Sequence, residues 1–521
     1  MPLSDLLAAV AGIRLGAGVD PAGVALTGVA LDNRAVLPGD LYAALPGANV
    51  HGARFAAAAL QAGAVAVLTD PAGAALLAEQ PGASPATVLV ADDPRAVLGG
   101  VSARVYGTDR PGGAPRIVGI TGTNGKTTTA YLLEAALRGA GLSTGLIGTI
   151  ETRVAGRSVP SARTTPESPD LHGLLALMAA EGVDVCVMEV SSHALALHRV
   201  DGVVYDAAAF TNLSQDHLDF HGSMEAYYAA KASLFTRQRS RAGVVVVDDA
   251  WGRRLADEAE VPVTTLSSRA DVEADRHVAL DVPAGAPVVL TGASGPEGDL
   301  VVRQALPGGH NRINAAVAAL LLRLLGVEDV TAATDADVTV PGRMEHVDLG
   351  PGAPDVYVDF AHTPEAITAT LSALSAQAAR SSPGSPVVAL LGAGGDRDAG
   401  KRPLMGAAAA RGADVVVVTD DNPRRDDPAR IRAAVLRGAR EAAGAPGAAA
   451  PDACYDVPGR EAGIERALTE AGADGVVALL GKGHERTQTI GEQVTPFDDR
   501  EVARRAWARR SARLARPGEA R

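Results

Sequence analysis

One stretch near residue 120 constrains the fold more than any other part of the sequence. The segment RIVGITGTNGKTTTAYLLEAALRGAG begins at Arg116 as an apolar strand, turns through closely spaced glycines and continues as an amphipathic helix. Gly122 and Gly125 let backbone N–H groups approach phosphate oxygens, and the N-terminus of the helix adds its positive dipole end. Further apolar runs such as VDVCVMEV and GVVVVDD alternate with helical segments, so the sequence predicts a mostly parallel sheet covered by helices on both faces.

The same turn predicts a nucleotide site. Lys126 can reach the β- and γ-phosphates, and the Thr127 hydroxyl can ligate Mg²⁺. The strict phosphate-loop pattern has Gly where this chain has Ile120, so the loop is a shortened form, and a plain strand-to-helix turn is the alternative. A second glycine-rich turn, 392–394, lacks the third glycine of a dinucleotide fingerprint because Arg397 stands there, which excludes NAD binding at that turn.

The length of the chain and its changes of pattern predict three α/β domains. At roughly 100–200 residues per domain, 521 residues correspond to about three. The segment TDRPGGAP (108–115) has the composition of a linker, and a third block with strands VYVDF, PVVALLGAGG, DVVVVTDD and GVVALLGKG follows the sequence VPGR. We therefore expect domains at 1–110, 111–340 and 341–521.

Composition excludes several classes of protein. The net charge of −13 provides no basic footprint for nucleic acid, and the Arg-rich segment 500–521 fits a solvated terminal helix better than a binding tail. No run reaches 18 apolar residues and the N-terminus lacks an early basic residue, so neither membrane insertion nor a signal peptide is expected. Cys186 and Cys454 are too few and too far apart for a disulfide framework or zinc site. We expect a cytoplasmic monomer that acts on small molecules.

Lysine is unusually rare. Of 48 basic side chains 44 are Arg, and the four Lys residues are Lys126, Lys231, Lys401 and Lys482. A position that stays Lys under this bias is a candidate for a task that Arg does not perform, although chance survival is the alternative. Lys231 lies on the mostly apolar helix of MEAYYAAKASLF, where a lone Lys usually extends towards water. Its retention suggests amine chemistry, which a guanidinium of pKa above 12 does not support.

Polar clusters follow two of the predicted strands. Glu189 ends the strand VDVCVMEV, and Asp216 and His217 follow the strand AAAF. In doubly wound sheets the carboxyl ends of parallel strands share one edge with the phosphate loop. A carboxylate and an imidazole at that edge can hold Mg²⁺ against ATP phosphates, whereas the simpler interpretation is polar loops that cap helices.

Nine motifs along the chain resemble those of the Mur ligases. They are GTNGKTT, MEVSSHAL, TNLSQDHLDFHG with its downstream Lys, GGHNRINAAVA, VPGRME, DFAHTPEA, GAGGDRDAGKRPLM, DNPR and GKGHE, and they follow one another in order through the second and third blocks. Within the family, they match the branch that adds meso-2,6-diaminopimelate to UDP-N-acetylmuramoyl-L-alanyl-D-glutamate in peptidoglycan synthesis. The resemblance implies an N-terminal domain that binds the UDP-substrate, a central phosphate-loop ATPase domain, and a Rossmann-like C-terminal domain that binds the amino acid.

The resemblance also assigns residues to sites. For ATP it implies Gly122, Thr123, Asn124, Gly125, Lys126, Thr127, Thr128, Asn311, Asn314 and Arg343, with Asp359 and His362 nearby. For Mg²⁺ it implies Thr127, Glu189, His217 and Lys231, the last as a carbamate formed from CO₂; the catalytic set is Lys126, Lys231, His217 and Glu189. For the UDP-muramoyl-dipeptide it implies Leu31, Asn33, Ala48, Asn49, Val50, Thr164, Thr165, Ser191, Arg199 and Lys231. For meso-diaminopimelate it implies Arg397, Asp421, Asn422, Pro423, Arg424, Gly481 and Glu485.

Two positions depart from the family pattern, and one has a simpler interpretation. The family usually has Asn at the position of Arg163 and often Gln at that of Leu197, so Leu197 is left out of the site. Thr165-Pro166 alone also fits a helix N-cap followed by Pro at the first helical position.

The family reaction is ATP-driven amide formation through an acyl phosphate. Diaminopimelate differs from lysine by a second carboxylate, which Arg424 can bind with two hydrogen bonds. Alone, DNPRRDDP also fits a turn before a helix capped by Asp427. The rival functions are another ligase of the superfamily, such as a D-Ala-D-Ala-adding ligase or a folylpolyglutamate synthetase, and a phosphate-loop ATPase that acts as a switch.

Overall fold

The computed structural model describes residues 1–16, 21–80, 87–160, 163–280, 282, 286–292, 299–303, 306–334, 338–381, 383–396, 398–443, 450 and 453–514. Within these residues three sheets with flanking helices follow one another along the chain. No helix among the described residues is long and apolar enough to cross a membrane.

The first sheet has five strands in the order β1-β5-β4-β3-β2, with only β1 antiparallel. Successive strand residues point to opposite faces, so Leu41 packs under α1 and α4 whereas Tyr42 packs under α2 and α3. The strands are β1 Ile13–Leu15, β2 Gly28–Ala30, β3 Asp40–Ala43, β4 Ala66–Thr69 and β5 Thr87–Ala91. The helices are α1 Leu3–Ala9, α2 Ala56–Gln61, α3 Pro71–Ala78 and α4 Pro94–Tyr106.

The second sheet has eleven strands in the order β16-β15-β14-β13-β12-β11-β6-β10-β7-β8-β9. Its centre from β14 to β7 is parallel, and antiparallel strands extend both edges. The strands are β6 Arg116–Thr121, β7 Thr144–Ile147, β8 Thr152–Val154, β9 Arg157–Val159, β10 Val185–Glu189, β11 Ala207–Phe210, β12 Gly243–Val246, β13 Val263–Ser267, β14 Arg276–Val278, β15 Val288–Gly292 and β16 Leu300–Val302. The helices are α5 Lys126–Gly139, α6 Ser168–Ala180, α7 Ser192–Ala196, α8 Leu218–His221, α9 Met224–Ala232, α10 Ala250–Glu258, α11 Gly309–Leu324 and α12 Val330–Ala333.

The third sheet has the order β17-β18-β22-β19-β20-β21, with β17 antiparallel, and a hairpin of β23 and β24 follows it. Helices α13, α14 and α15 cover one face, and α16 and α17 cover the other. The strands are β17 Glu345–Val347, β18 Asp355–Asp359, β19 Val387–Leu391, β20 Val415–Val418, β21 Cys454–Asp456, β22 Val476–Leu480, β23 Thr487–Ile490 and β24 Gln493–Pro496. The helices are α13 Pro364–Ser381, α14 Lys401–Gly412, α15 Pro428–Ala442, α16 Arg460–Ala471 and α17 Asp499–Leu514.

The sheets bear out the expected three-part α/β architecture with a mostly parallel centre. Cys186 is fully buried on β10, and burial raises the pKa of its thiol to about 12, as expected of a core residue. Asp427 caps α15 by accepting a hydrogen bond from the Ala429 N–H, as its alternative interpretation predicted. The N-cap interpretation of Thr165 is wrong, because α6 begins at Ser168, and the Thr165 hydroxyl instead donates to a backbone carbonyl.

Candidate active site

A cavity of about 680 Å³ lies between the second and third sheets. The second sheet contributes the phosphate loop, the end of β10, the segment after β11 and the first turns of α11. The third contributes the ends of β18 and β22 and the segments that follow β19 and β20. The cavity therefore collects the carboxyl ends of parallel strands from two units, which is where ligands bind in such sheets.

The phosphate loop has the glycine geometry that its sequence predicts. Gly122 has a φ of +139°, and a Cβ there would lie 1.9 Å from the Thr211 hydroxyl oxygen. Gly125 has a φ of +91° directly before α5. The Lys126 ammonium folds back over this loop and donates to the carbonyl oxygens of Gly122 and Thr123, each at 2.9 Å. Burial lowers the pKa of Lys126.

Thr127 and Glu189 meet at the floor of the cavity. The Thr127 hydroxyl donates to Glu189 Oε2 at 2.9 Å, and the backbone N–H of Thr149 donates to Oε1 at 2.8 Å. Arg343 reaches across from the third unit, where its Nη2 donates to the Thr127 hydroxyl at 3.2 Å and its guanidinium lies 4.5 Å from the centre of the Phe360 ring. A side chain more than 200 residues away thus completes the phosphate end of the site.

The Lys231 amine is buried at the same loop. Its side chain is 1% exposed, and Nζ donates to the Gly122 carbonyl at 2.7 Å and lies 4.7 Å from the centre of the Tyr227 ring. Because Lys126 donates to the same carbonyl, two ammonium groups share one acceptor. Burial, and then the charge of Lys126, lower the pKa of Lys231 well below its usual range.

Asp216 connects the second and third units. It accepts from Lys401 Nζ at 3.0 Å, and His362 Nε2 lies 3.7 Å from its second oxygen. Burial alone would raise the pKa of Asp216, but His362, His217 and Lys401 together hold it below its usual range. The neighbouring His217 has a φ of +55°, and burial lowers the pKa of its ring to about 3.

The side chains at this edge are a partial match for a magnesium site. No group of three or more His, Cys, Asp or Glu side chains in the described part of the chain is placed to hold a metal ion. Thr127 and Glu189 offer the oxygen donors that Mg²⁺ prefers, and His217 lines the same cavity. The Lys231 amine is a donor and would repel a cation, so the set fits Mg²⁺ only if Lys231 carries a carboxylate.

The residues assigned to the amino acid gather at the opposite side of the cavity. Asp421, Asn422, Arg424, Gly481 and Glu485 all line it. The side-chain amide of Asn422 donates to Glu485 Oε2 at 2.7 Å, and Arg424 Nη1 donates to a backbone carbonyl of the loop after β19 at 2.8 Å. Arg424 has a φ of +51°, a strained conformation that the hairpin of β23 and β24 holds through two backbone hydrogen bonds. Pro423 is buried without lining the cavity, and Arg397 lies outside the described residues.

The other predicted nucleotide residues are mostly in this cavity. Those that line it are Thr123, Asn124, Gly125, Lys126, Thr127, Thr128, Asn311, Asn314, Arg343, Asp359 and His362. Gly122 does not line it, although its carbonyl accepts from both lysines.

The residues assigned to the UDP-dipeptide divide into two groups. Thr164 and Ser191 line the cavity, and Thr165 and Arg199 lie just behind them, where Arg199 Nε is 2.9 Å from a carboxylate oxygen of Glu167. The other group, Leu31, Asn33, Ala48, Asn49 and Val50, is on the first unit outside the cavity. These residues follow β2 and β3, which are parallel neighbours, so both segments lie at one edge of the first sheet.

Several site residues were not predicted from the sequence. Asn212 accepts the backbone N–H of Asn124 at 3.0 Å, and Thr149 holds Glu189. Phe360 supports Arg343. Asn212 and Phe360 lie within the motifs TNLSQDH and DFAHTPEA, so the sequence could have marked them as site residues. The residues that they contact are distant in sequence and are known only from the fold.

The fold and cavity define a phosphate-loop α/β protein whose nucleotide site is completed by a second α/β unit. Comparison with known proteins identifies the family. Profiles of the Mur ligase family match at 25–106 (catalytic domain), 120–322 (middle domain) and 342–483 (glutamate ligase domain). The chain belongs to the Mur ligase family, as its nine motifs predicted.

Three relatives indicate the branch of the family. A Streptomyces coelicolor protein named UDP-N-acetylmuramoyl-L-alanyl-D-glutamate--2,6-diaminopimelate ligase is 47% identical over 95% of this chain and 94% of its own length. A Leifsonia xyli protein named UDP-N-acetylmuramyl-tripeptide synthetase is 44% identical over 97% of this chain and 95% of its own. A solved structure of a 2,6-diaminopimelate ligase superposes with a TM-score of 0.64 at 29% identity, covering 98% of this chain and 99% of that one. The name of the Leifsonia xyli protein does not specify which amino acid that enzyme adds.

Proposed function

We propose that this chain is an ATP-dependent ligase that joins meso-2,6-diaminopimelate to the D-glutamate of UDP-N-acetylmuramoyl-L-alanyl-D-glutamate. One observation carries the proposal: a single cavity is lined by the phosphate loop at one side and by Arg424 with two carboxylates at the other. The names of the Streptomyces coelicolor relative and of the solved structure support the same reaction.

The phosphate end of the cavity is suited to the transfer of a phosphoryl group. The helix α5 begins directly after Gly125, and the backbone N–H groups of its first turn, which have no partner within the helix, can bind an anion. Lys126 and Arg343 bring positive charge to the same place, where the D-glutamate carboxylate must approach the γ-phosphate of ATP. Because both reactants are anionic, positioning and charge stabilisation are the main contributions that these residues make.

Lys231 is proposed to act as a carbamate. CO₂ reacts only with a neutral amine, and the burial of Lys231 beside Lys126 lowers its pKa in the direction that favours this form. The product is an anion with two oxygens, which together with Thr127, Glu189 and His217 would hold Mg²⁺. Bound Mg²⁺ supplies charge that screens the carboxylate from the triphosphate.

The UDP-substrate is proposed to span the first two units. Its uridine end would lie on the segments after β2 and β3, and its dipeptide would reach Thr164, Ser191 and Arg199. The domain boundaries 1–110, 111–340 and 341–521 are part of this proposal, and each sheet falls within one of them. A monomeric enzyme is part of the same proposal.

Arg424 is proposed to select diaminopimelate over lysine. The far end of diaminopimelate carries a carboxylate that a guanidinium can bind with two hydrogen bonds, whereas lysine ends in an ammonium group. Lysine would therefore leave Arg424 unpaired and bring a second cation close. A site that pairs with a polar group of its substrate discriminates by roughly 10²–10⁵ in kcat/KM against an analogue that lacks the group.

Phosphate release with the UDP-dipeptide, ATP and a panel of amino acids tests the proposal. We expect turnover with meso-diaminopimelate and little with L-lysine, and Arg424→Ala should lose most of that preference. Arg425→Ala is the matched control, because that neighbouring guanidinium is 82% exposed and pairs with Asp396. Equal kcat/KM for the two amino acids would refute the role of Arg424. Turnover only with D-Ala-D-Ala or a folate would favour another ligase, and hydrolysis without any acceptor would favour an ATPase switch.

A further inference from the structure

Lys482 is buried behind the wall of the amino-acid pocket. It follows Gly481 at the end of β22, and its side chain is 0% exposed. Gly481 and Glu485 line the cavity, but Lys482 does not. Its Nζ donates to the Thr487 carbonyl at 2.6 Å and lies 3.4 Å from Glu485 Oε2 and 3.8 Å from Asp421 Oδ1. The ammonium group therefore faces two carboxylates from the side opposite to the substrate.

The two carboxylates depend on a positive charge in this position. Asp421 Oδ1 is buried and has no hydrogen-bond partner in the described part of the chain. Burial, and then the charge of Asp421, raise the pKa of Glu485, whereas Lys482 and the hydrogen bond from Asn422 lower it. Without the ammonium group of Lys482, the pKa of Glu485 would rise further, which favours its protonated form.

We propose that Lys482 is a positioning residue whose buried ammonium group holds the carboxylates of Asp421 and Glu485 together at the cavity wall, so that both can bind an ammonium group of the incoming amino acid. The inference rests on the proposed function, because it assumes that this side of the cavity receives the amino acid. It goes further by assigning a task to a residue that does not touch the substrate.

The enclosure of Lys482 also accounts for a lysine in a chain dominated by arginine. The ammonium has one backbone carbonyl and two carboxylates within reach. A guanidinium is larger, planar and carries five N–H donors in a fixed geometry, so it does not replace a compact ammonium group that meets these acceptors from one centre.

Other charged groups also act on the pair. Arg343 and Arg460 face Glu485 from the loop before β17 and from α16, and Arg460 also acts on Asp421. These two guanidinium groups remain in every variant below. A change in KM on removal of Lys482 is therefore due to the loss of this one cation.

Lys482→Met removes the charge and keeps the length of the side chain. We expect the KM for the amino acid to rise at least tenfold at pH 6.5 and to recover as the pH rises to 8.5, because Glu485 then loses its proton. A rise of one unit in the pKa of a carboxyl group changes the ratio of its protonated to its ionised form about tenfold at a given pH. The KM values for ATP and the UDP-dipeptide should change less than twofold, and the wild-type KM for the amino acid should be flat over the same range.

Gln488→Met separates this role from support of the hairpin. Gln488 ties β23 to the backbone carbonyl of Asp421 at 2.7 Å and carries no charge. Its loss should raise the KM for the amino acid without pH dependence. A Lys482→Met enzyme with an unchanged KM, or with a raised KM that is independent of pH as in Gln488→Met, would overturn the proposal.

Two further arms keep the test decisive. If Lys482→Met does not fold, the double variant with Glu485→Gln should recover folded protein, because a neutral amide at 485 needs neither a counter-charge nor a proton; no recovery would overturn the proposal. The wild-type enzyme is measured with meso-diaminopimelate first. If it uses another amino acid, the proposed specificity fails, and the same comparison of KM values with that amino acid still decides the role of Lys482.

Discussion

Asp499→Asn should destabilise the third unit strongly, because it breaks a fully buried ion pair. The side chains of Arg460 and Asp499 are both 0% exposed. Arg460 Nε donates to Oδ1 at 2.7 Å and Nη2 to Oδ2 at 2.6 Å, so the pair is bidentate. An Arg side chain does not lose its proton at accessible pH, so the variant leaves a buried charge with no counter-charge at this contact.

The magnitude follows from this burial. Removing one partner of a buried ion pair costs about 3–5 kcal/mol of unfolding free energy. Asp499 also lies in the first turn of α17, where a negative charge contributes about 0.3–1 kcal/mol through the helix dipole. For a unit of about 180 residues, 4 kcal/mol corresponds to a fall in Tm of roughly 8–16 °C.

Tryptophan fluorescence can follow this unit alone. The chain has two Trp residues, of which Trp507 is on α17 in the core of the third unit and Trp251 is on α10 of the second. In a Trp251→Phe background, thermal unfolding monitored at Trp507 reports the region that the ion pair joins.

An exposed ion pair between the same two helices gives a matched control. Arg509 pairs with Glu461 at 2.7 Å, and both side chains are 45% exposed. Glu461→Gln should cost less than about 1 kcal/mol, because solvent screens such pairs. A loss below about 1 kcal/mol for Asp499→Asn as well, indistinguishable from this control, would refute the reasoning from burial.

Three other substitutions have defined outcomes. Gly122→Ala should weaken ADP binding roughly tenfold or more in a fluorescence titration, because its Cβ would meet the Thr211 hydroxyl and its φ of +139° is strained; unchanged affinity would contradict the loop geometry. Lys231→Arg should lower kcat by roughly 100-fold or more in the phosphate assay, because a guanidinium forms no carbamate; near-normal turnover would refute the carbamate. Burial lowers the pKa of His172 below 6.5, so the unfolded chain binds more protons and stability should fall as the pH drops from 7 to 5. His172→Gln, which can still donate to the Asp201 carbonyl, should flatten that slope in urea unfolding, and an equal slope would exclude His172 as its source.

Local pattern predicted much of the fold. The sequence pattern of a strand, a glycine turn and a helix at 116–139 predicted the phosphate loop. Continuous apolar strands predicted the parallel centre of each sheet. The antiparallel strands β15 and β16 extend one edge of the second sheet and β8 and β9 extend the other, where short and partly exposed segments carry a weak pattern. The sequence assigned Thr127 and Arg424 to the proposed sites, but neither the reach of Arg343 to Thr127 nor the hairpin that supports Arg424 follows from nearby residues.

The four lysines separate what the sequence determined from what only the fold decided. The sequence by itself determined that Lys is rare and that Lys126 follows a phosphate-binding turn, because both facts are local. Only the fold decided that Lys231 shares a carbonyl with Lys126, that Lys401 joins Asp216 across two units, and that Lys482 lies against Glu485. The pKa and the partners of a side chain depend on groups that the fold brings close in space. For these lysines, such groups are up to 185 residues away along the chain.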